Sequence, residues 1–208
     1  MAGVPRWPAV VVLVAIGLLM ALVSNRLTVG PPWLPLLVVL VLAVLIVIAI
    51  VLDRHDWRRR LGLIGLGTVT VAIAGSAVIL VQQLIDGSAP EPTTLLSGAA
   101  AIWVANMLTF ALWYWEIDGG GPSKRRRDGH ISTDLLFPQL QVGDGTSSHG
   151  WWPGFVDYLF VAFTASSAFS PTDTLVLSRK VKGLMMVQTV ISMVTIVVIA
   201  ARAINTLR

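Results

Sequence analysis

Long apolar runs alternate with short polar joints along this chain. Residues 27–52, 61–85 and 92–115 carry no Asp, Glu, Lys or Arg, and neither do 7–25 and 183–201. About 20 apolar residues make a helix that crosses a bilayer core of roughly 30 Å. The pattern predicts five spans, at 8–24, 33–52, 61–85, 95–115 and 183–207. A sixth apolar run, 154–169, reaches only about 24 Å as a helix. Pro171 follows closely and stops it. This run is expected to enter the bilayer and return, as a re-entrant half-span, with a sixth full span as the alternative.

Turn chemistry separates the runs. Gly30-Pro31-Pro32 makes a stiff turn, 53–60 is a charged joint, and 86–94 is an acidic loop with two prolines. Trp7, Trp33, Trp57, Trp113, Trp115, Trp151 and Trp152 fall at span ends, as in an interfacial aromatic belt, while Trp103 falls mid-span. Arg6 ahead of the first run suggests a signal peptide, but Ser24-Asn25-Arg26 offers no small-x-small cleavage site, so a retained span is expected. In the fourth span, Ser97, Ala101, Ala105 and Thr109 recur every four residues and predict a close-packing ridge. The organisation expected is a four-helix region at 1–116, a polar cytoplasmic loop at 117–150 and a last module at 151–208, all one structural domain.

Composition agrees with this pattern. Of 208 residues 55% are hydrophobic and 12% charged, and mean hydropathy is +0.79. A soluble domain carries about 25% charged residues. Net charge is +4. The basic residues sit at span ends, where topology and lipid explain them, so no nucleic-acid partner is expected. The absence of Cys excludes disulfides, thiolate metal sites and cysteine nucleophiles. With the N-terminus cytoplasmic and 154–169 re-entrant, 12 basic residues face the cytoplasm and 3 the outside. With 154–169 as a full span the counts become 11 and 4. Either way the positive-inside bias places the N-terminus in the cytoplasm. Lys124, Arg125, Arg126 and Arg127 beside a span end are expected to contact anionic lipid head groups.

Candidate chemistry is concentrated after residue 154. Asp157 and Asp173 are the only carboxylates of the last module, and each has a capping alternative. Thr164, Ser166, Ser167, Ser170, Thr172 and Thr174 form a hydroxyl-rich strip, suited either to ion coordination or to helix-end bonding. Gln188, Ser192 and Thr195 fall at i, i+4 and i+7 on one helix face, and can face a lumen or bond between helices. Asn106 reads as a packing residue. His55, His130 and His149 have no metal-ligand spacing, and no nucleophile elbow, phosphate loop or dinucleotide fingerprint is present. No enzyme, metal or cofactor is expected.

The stretch 155–207 resembles the pore module of the tetrameric potassium-channel superfamily, in which a pore helix, a filter and an inner helix follow in order. Ala162-Phe163-Thr164-Ala165-Ser166-Ser167 reads like the end of a pore helix. Ala168-Phe169-Ser170-Pro171-Thr172-Asp173 falls where the filter stands, with Asp173 matching its terminal Asp and no filter glycines. The last 110 or so residues also resemble a family of uncharacterised bacterial multi-pass membrane proteins with an Ala-Phe-Ser-Pro-Thr-Asp-Thr-like turn, here 168–174. These resemblances imply a bacterial inner-membrane protein that is homo-oligomeric, a tetramer by the channel resemblance. It would form a channel-like pore for small ions, with cations favoured, and without the usual potassium filter. Pore residues would include Ser166, Ser167, Phe169, Ser170, Pro171, Thr172, Asp173 and Thr174. The charge count puts this turn on the cytoplasmic side, opposite to potassium channels. The alternatives are a non-conducting assembly or scaffold protein and a small transporter.

Overall fold

The computed structural model describes residues 7–23, 55–88, 90–128, 133–141, 151–171 and 173–206. The predicted span at 33–52, His130, His149 and Thr172 lie outside the described residues. The helices are α1 (Trp7–Leu22), α2 (His55–Ile85), α3 (Pro92–Ile117), α4 (Pro122–Asp128), α5 (Pro138–Gln141), α6 (Phe155–Ser167) and α7 (Arg179–Thr206). Strands β1 (Leu135–Leu136) and β2 (Leu175–Val176) form an antiparallel pair, Leu135 opposite Val176 and Leu136 opposite Leu175. The chain is mostly helical. Among the described residues, three helices are long and apolar enough to cross a membrane: Arg59–Ile85, Pro92–Arg127 and Arg179–Ile204. Val11–Ala21 and Phe155–Ser167 are shorter apolar helices.

Helix α3 is the axis of the bundle, and α1, α2, α6 and α7 all pack on it. Pro92 opens it, where a missing N–H costs nothing. Gly98, Ala99 and Ala105 are buried along it, so neighbouring backbones approach closely. The predicted ridge is buried at Ala105 and Thr109, half-buried at Ala101 and exposed at Ser97. Exposed faces are apolar instead: Ile64, Val71, Val78 and Ile85 on α2, and Met186, Val190, Met193 and Val197 on α7. That arrangement suits a hydrocarbon solvent.

Helix α6 is about half as long as its neighbours. At 1.5 Å per residue it measures about 20 Å, against about 39 Å for α3. It starts at the C-terminal end of α3, where the rings of Trp115 and Phe155 meet edge to face at 5.8 Å. It ends beside the middle of α3, where Trp103 Nε1 donates to Ser166 O at 3.3 Å. Residues 168–174 then return to the starting end, since β2 pairs with β1 and Leu177 N donates to Asp134 O at 2.9 Å. Helix α7 begins at this same end and runs back alongside α6.

The turn between α3 and α4 needs glycine. Gly121 has φ 99°, and a Cβ there would stand 3.1 Å from Glu116 O. Gly121→Ala is expected to cost roughly 1–3 kcal/mol, through backbone strain and crowding. Thermal unfolding in detergent, compared with Gly183→Ala, where an added Cβ meets nothing within 4 Å, checks this; equal midpoints would contradict it.

Candidate functional site

Two buried polar clusters hold α6, one at each end. The inner cluster centres on Gln188 of α7, which is fully buried. Its Nε2 donates to Ala162 O and to Ser166 Oγ, both at 2.7 Å. Its Oε1 accepts from the Tyr114 hydroxyl. Asn106 Nδ2 donates to Gln188 O at 3.1 Å and to Ser192 Oγ at 2.8 Å. One glutamine side chain thus reaches both α3 and α6, and Asn106 ties α3 to α7 a turn further in. In an apolar bundle such bonds decide which helices pair, because an unpaired polar group has no water to turn to.

The outer cluster centres on Asp118, fully buried just past the end of α3. Its Oδ1 accepts from Asp134 N at 2.7 Å and Leu135 N at 3.0 Å. Its Oδ2 accepts from the Tyr158 hydroxyl at 2.7 Å. Arg125 Nη1 donates to Trp115 O at 2.7 Å and also to Asp118 O. The guanidinium of Arg125 lies 5.0 Å from the centroid of the Tyr158 ring. This cluster fastens the start of α6 through Tyr158, and the end of the return segment through β1 and β2.

The candidate residues divide between these clusters and the surface. Ser166 is buried and bonded to Gln188, whereas Ser167, Phe169, Ser170 and Asp173 are exposed. Ser167 Oγ donates to Phe163 O at 2.7 Å, and Thr164 Oγ1 donates to Phe160 O and Val161 O, which is local helix bonding. Pro171 is half-buried and accepts through its carbonyl from Thr174 N at 3.3 Å; Thr174 itself is buried. Asp157 accepts from Gly154 N at 2.7 Å, capping the start of α6. Gln188, Ser192 and Thr195 face into the bundle of a single chain, where Gln188 and Ser192 bond between helices and Thr195 bonds back to Ile191 O. Lys124, Arg126 and Arg127 are exposed, and Arg125 is buried.

Sequence reasoning grouped Tyr114 with Trp113 and Trp115 in an interfacial belt, whereas it is fully buried, and it passed over Asp118 and Tyr158. Each had a signal: a polar group inside or at the edge of an apolar run, with a burial cost that requires a partner. Phe169 has φ 56°, the only non-glycine left-handed backbone among the described residues. It directly follows Ala168, the C-cap of α6.

Searches against protein families, curated proteins and solved structures find no match to this chain. The functional argument therefore rests on the geometry above.

Two substitutions test this site. Gln188→Leu leaves the Tyr114 and Ser166 hydroxyls without their partner, at roughly 1–3 kcal/mol per orphaned group. It should lower the unfolding midpoint and speed proteolysis within 155–174, and wild-type behaviour on both counts would refute the anchoring role. Phe169→Gly should instead raise stability by about 1–2 kcal/mol, by removing left-handed strain. A fall would show that the exposed ring has a packing partner.

Proposed function

We propose that this chain is a multi-pass inner-membrane protein in which α6, the return segment and α7 form a re-entrant module. Copies of that module assemble around a path for small cations. One observation carries the reading. Ser167 and Ser170 are exposed where the chain turns back at the mid-level of an otherwise apolar bundle, and exposed Asp173 follows on the way back to the basic end. Polar and charged side chains do not face hydrocarbon at that depth unless water or protein covers them. A second copy of the chain, enclosing an aqueous path, supplies both. The C-terminus of α6 also brings the negative end of its dipole to the same level, which favours cations. The order of short helix, return segment and long helix supports the resemblance noted above.

Orientation follows from charge. Arg59, Arg60, Lys124, Arg126, Arg127, Arg179, Lys180 and Lys182 are all exposed at the end where α3 finishes and α7 starts, while Asp86 and Glu91 lie at the other end. This supports a cytoplasmic setting for the basic end, with the re-entrant segment entering from that side.

The rival reading is a non-conducting assembly protein. The burial of Gln188, Ser192 and Thr195 within one chain favours it, because a face that bonds helices together is spent on packing.

Reconstituted liposomes decide between the two. The expected result is cation flux from cross-linkable oligomers, with Asp173→Asn lowering cation-over-anion permeability severalfold while leaving assembly intact. Wild-type protein that forms oligomers yet passes no ion at any voltage would support the assembly reading. Wild-type protein that stays monomeric in the bilayer would overturn both.

A further inference from the structure

The run Lys124-Arg125-Arg126-Arg127 looks uniform in sequence, but the structure splits it. Successive residues on a helix point about 100° apart, so four in a row cannot share one face. Lys124, Arg126 and Arg127 are exposed, and Arg125 is 4% exposed. The inward guanidinium reaches the last carbonyl groups of α3, at Trp115 and Asp118, and lies against the ring of Tyr158. One short helix thus carries three outward cations and one inward cation, and the inward one touches the start of α6.

The outward face has neighbours of the same sign. Arg59 Nε lies 3.7 Å from where a Cβ on Gly121 would stand, as does the acidic neighbour Glu116 Oε2, which puts the start of α2 against the turn that opens α4. Arg59 and Arg60 are both exposed. Two chain segments therefore present one basic surface next to the end of α3, where the charge-free run 92–115 stops and charged residues begin, as at a bilayer edge. Negatively charged head groups lie at that level, and each basic residue near them gains from the surface potential.

We propose that α4 is a docking element for anionic phospholipid, and that the docked lipid sets the order of the re-entrant module through Arg125. Head groups that hold Lys124, Arg126 and Arg127 fix the rotation of α4 about its axis. That rotation decides whether Arg125 stays inserted over Tyr158. Tyr158 in turn orients the Asp118 carboxylate, which holds β1 and through it β2. Lipid at the surface thereby tightens both stems of the hairpin. The inference does not depend on ion passage, because its reporter is backbone protection and not flux.

The experiment uses the full chain in nanodiscs of phosphatidylcholine alone or mixed with phosphatidylglycerol, and reads amide hydrogen exchange over 155–176. The anionic mixture should slow exchange severalfold in wild type. The triple variant Lys124→Gln, Arg126→Gln, Arg127→Gln should keep wild-type protection in phosphatidylcholine and lose the response to phosphatidylglycerol. Arg125→Lys keeps the charge but not the forked donors, and should raise exchange at the start of α6 and blunt the response. Equal exchange of wild type in both lipids would overturn lipid docking. A triple variant that responds fully would place the contact elsewhere, and an Arg125→Lys variant that responds fully would remove the coupling route. Inorganic phosphate added to phosphatidylcholine discs should change nothing; if it reproduces the slowing, the ligand is a free anion and the lipid assignment is wrong.

Discussion

The carboxylate of Asp118 joins parts of the chain that are far apart in sequence. It receives the Tyr158 hydroxyl and the backbone N–H groups of Asp134 and Leu135, and it sits where α3 ends. A buried carboxylate is tolerated only when donors surround it. That requirement gathers the loop after α3, the start of α6 and the β1–β2 pair at one place. Remove the requirement and the first turn of a half-length helix keeps only apolar contacts with α3, such as Phe155 on Trp115. Its outer face exposes Val156 and Phe160, and Phe163 meets the Trp103 ring edge to face at 6.4 Å near the far end.

The inner cluster solves the complementary problem. An ordinary helix end leaves orphan carbonyl groups that water satisfies at a protein surface. Helix α6 ends beside the middle of α3, and Gln188 approaches it there with a donor pair, bonding Ala162 O and Ser166 Oγ. Trp103 adds a third donor at Ser166 O. Glutamine suits this position because its amide donates and accepts on the same end group, so it can serve α6 and Tyr114 at once. The fold therefore keeps apolar surface outside and polar contacts inside.

The long helices were legible in the sequence because hydrophobic length is a local property, readable from any window of about 20 residues. The shortness of 154–169 was legible for the same reason, and the helix observed within it runs Phe155–Ser167. The partners were not legible. Gln188, Ser192 and Thr195 showed themselves as a polar stripe, but whether such a stripe faces water or another helix depends on residues 80 or more positions away, such as Asn106. Arg125 was indistinguishable from its three basic neighbours, because inward and outward positions on a seven-residue helix are set by its packing against Tyr158. Asp118 looked like loop chemistry, since nothing in the run Asp118-Gly119-Gly120-Gly121 announces burial.

The two-residue ladder between β1 and β2 has a consequence in time. Its partners, Leu135 with Val176 and Leu136 with Leu175, are separated by α5, α6 and the whole return segment. Long helices form from contacts a few residues apart, whereas this pairing must wait for distant chain to arrive. During synthesis at roughly 5–20 residues per second, α6 is complete about a second before the strand that closes its hairpin and about 1–4 s before Gln188. Over that interval a short apolar helix stands beside α3 with neither β2 nor Gln188 in place. The last module is thus assembled retrospectively: α7 arrives and secures a helix that was made before it.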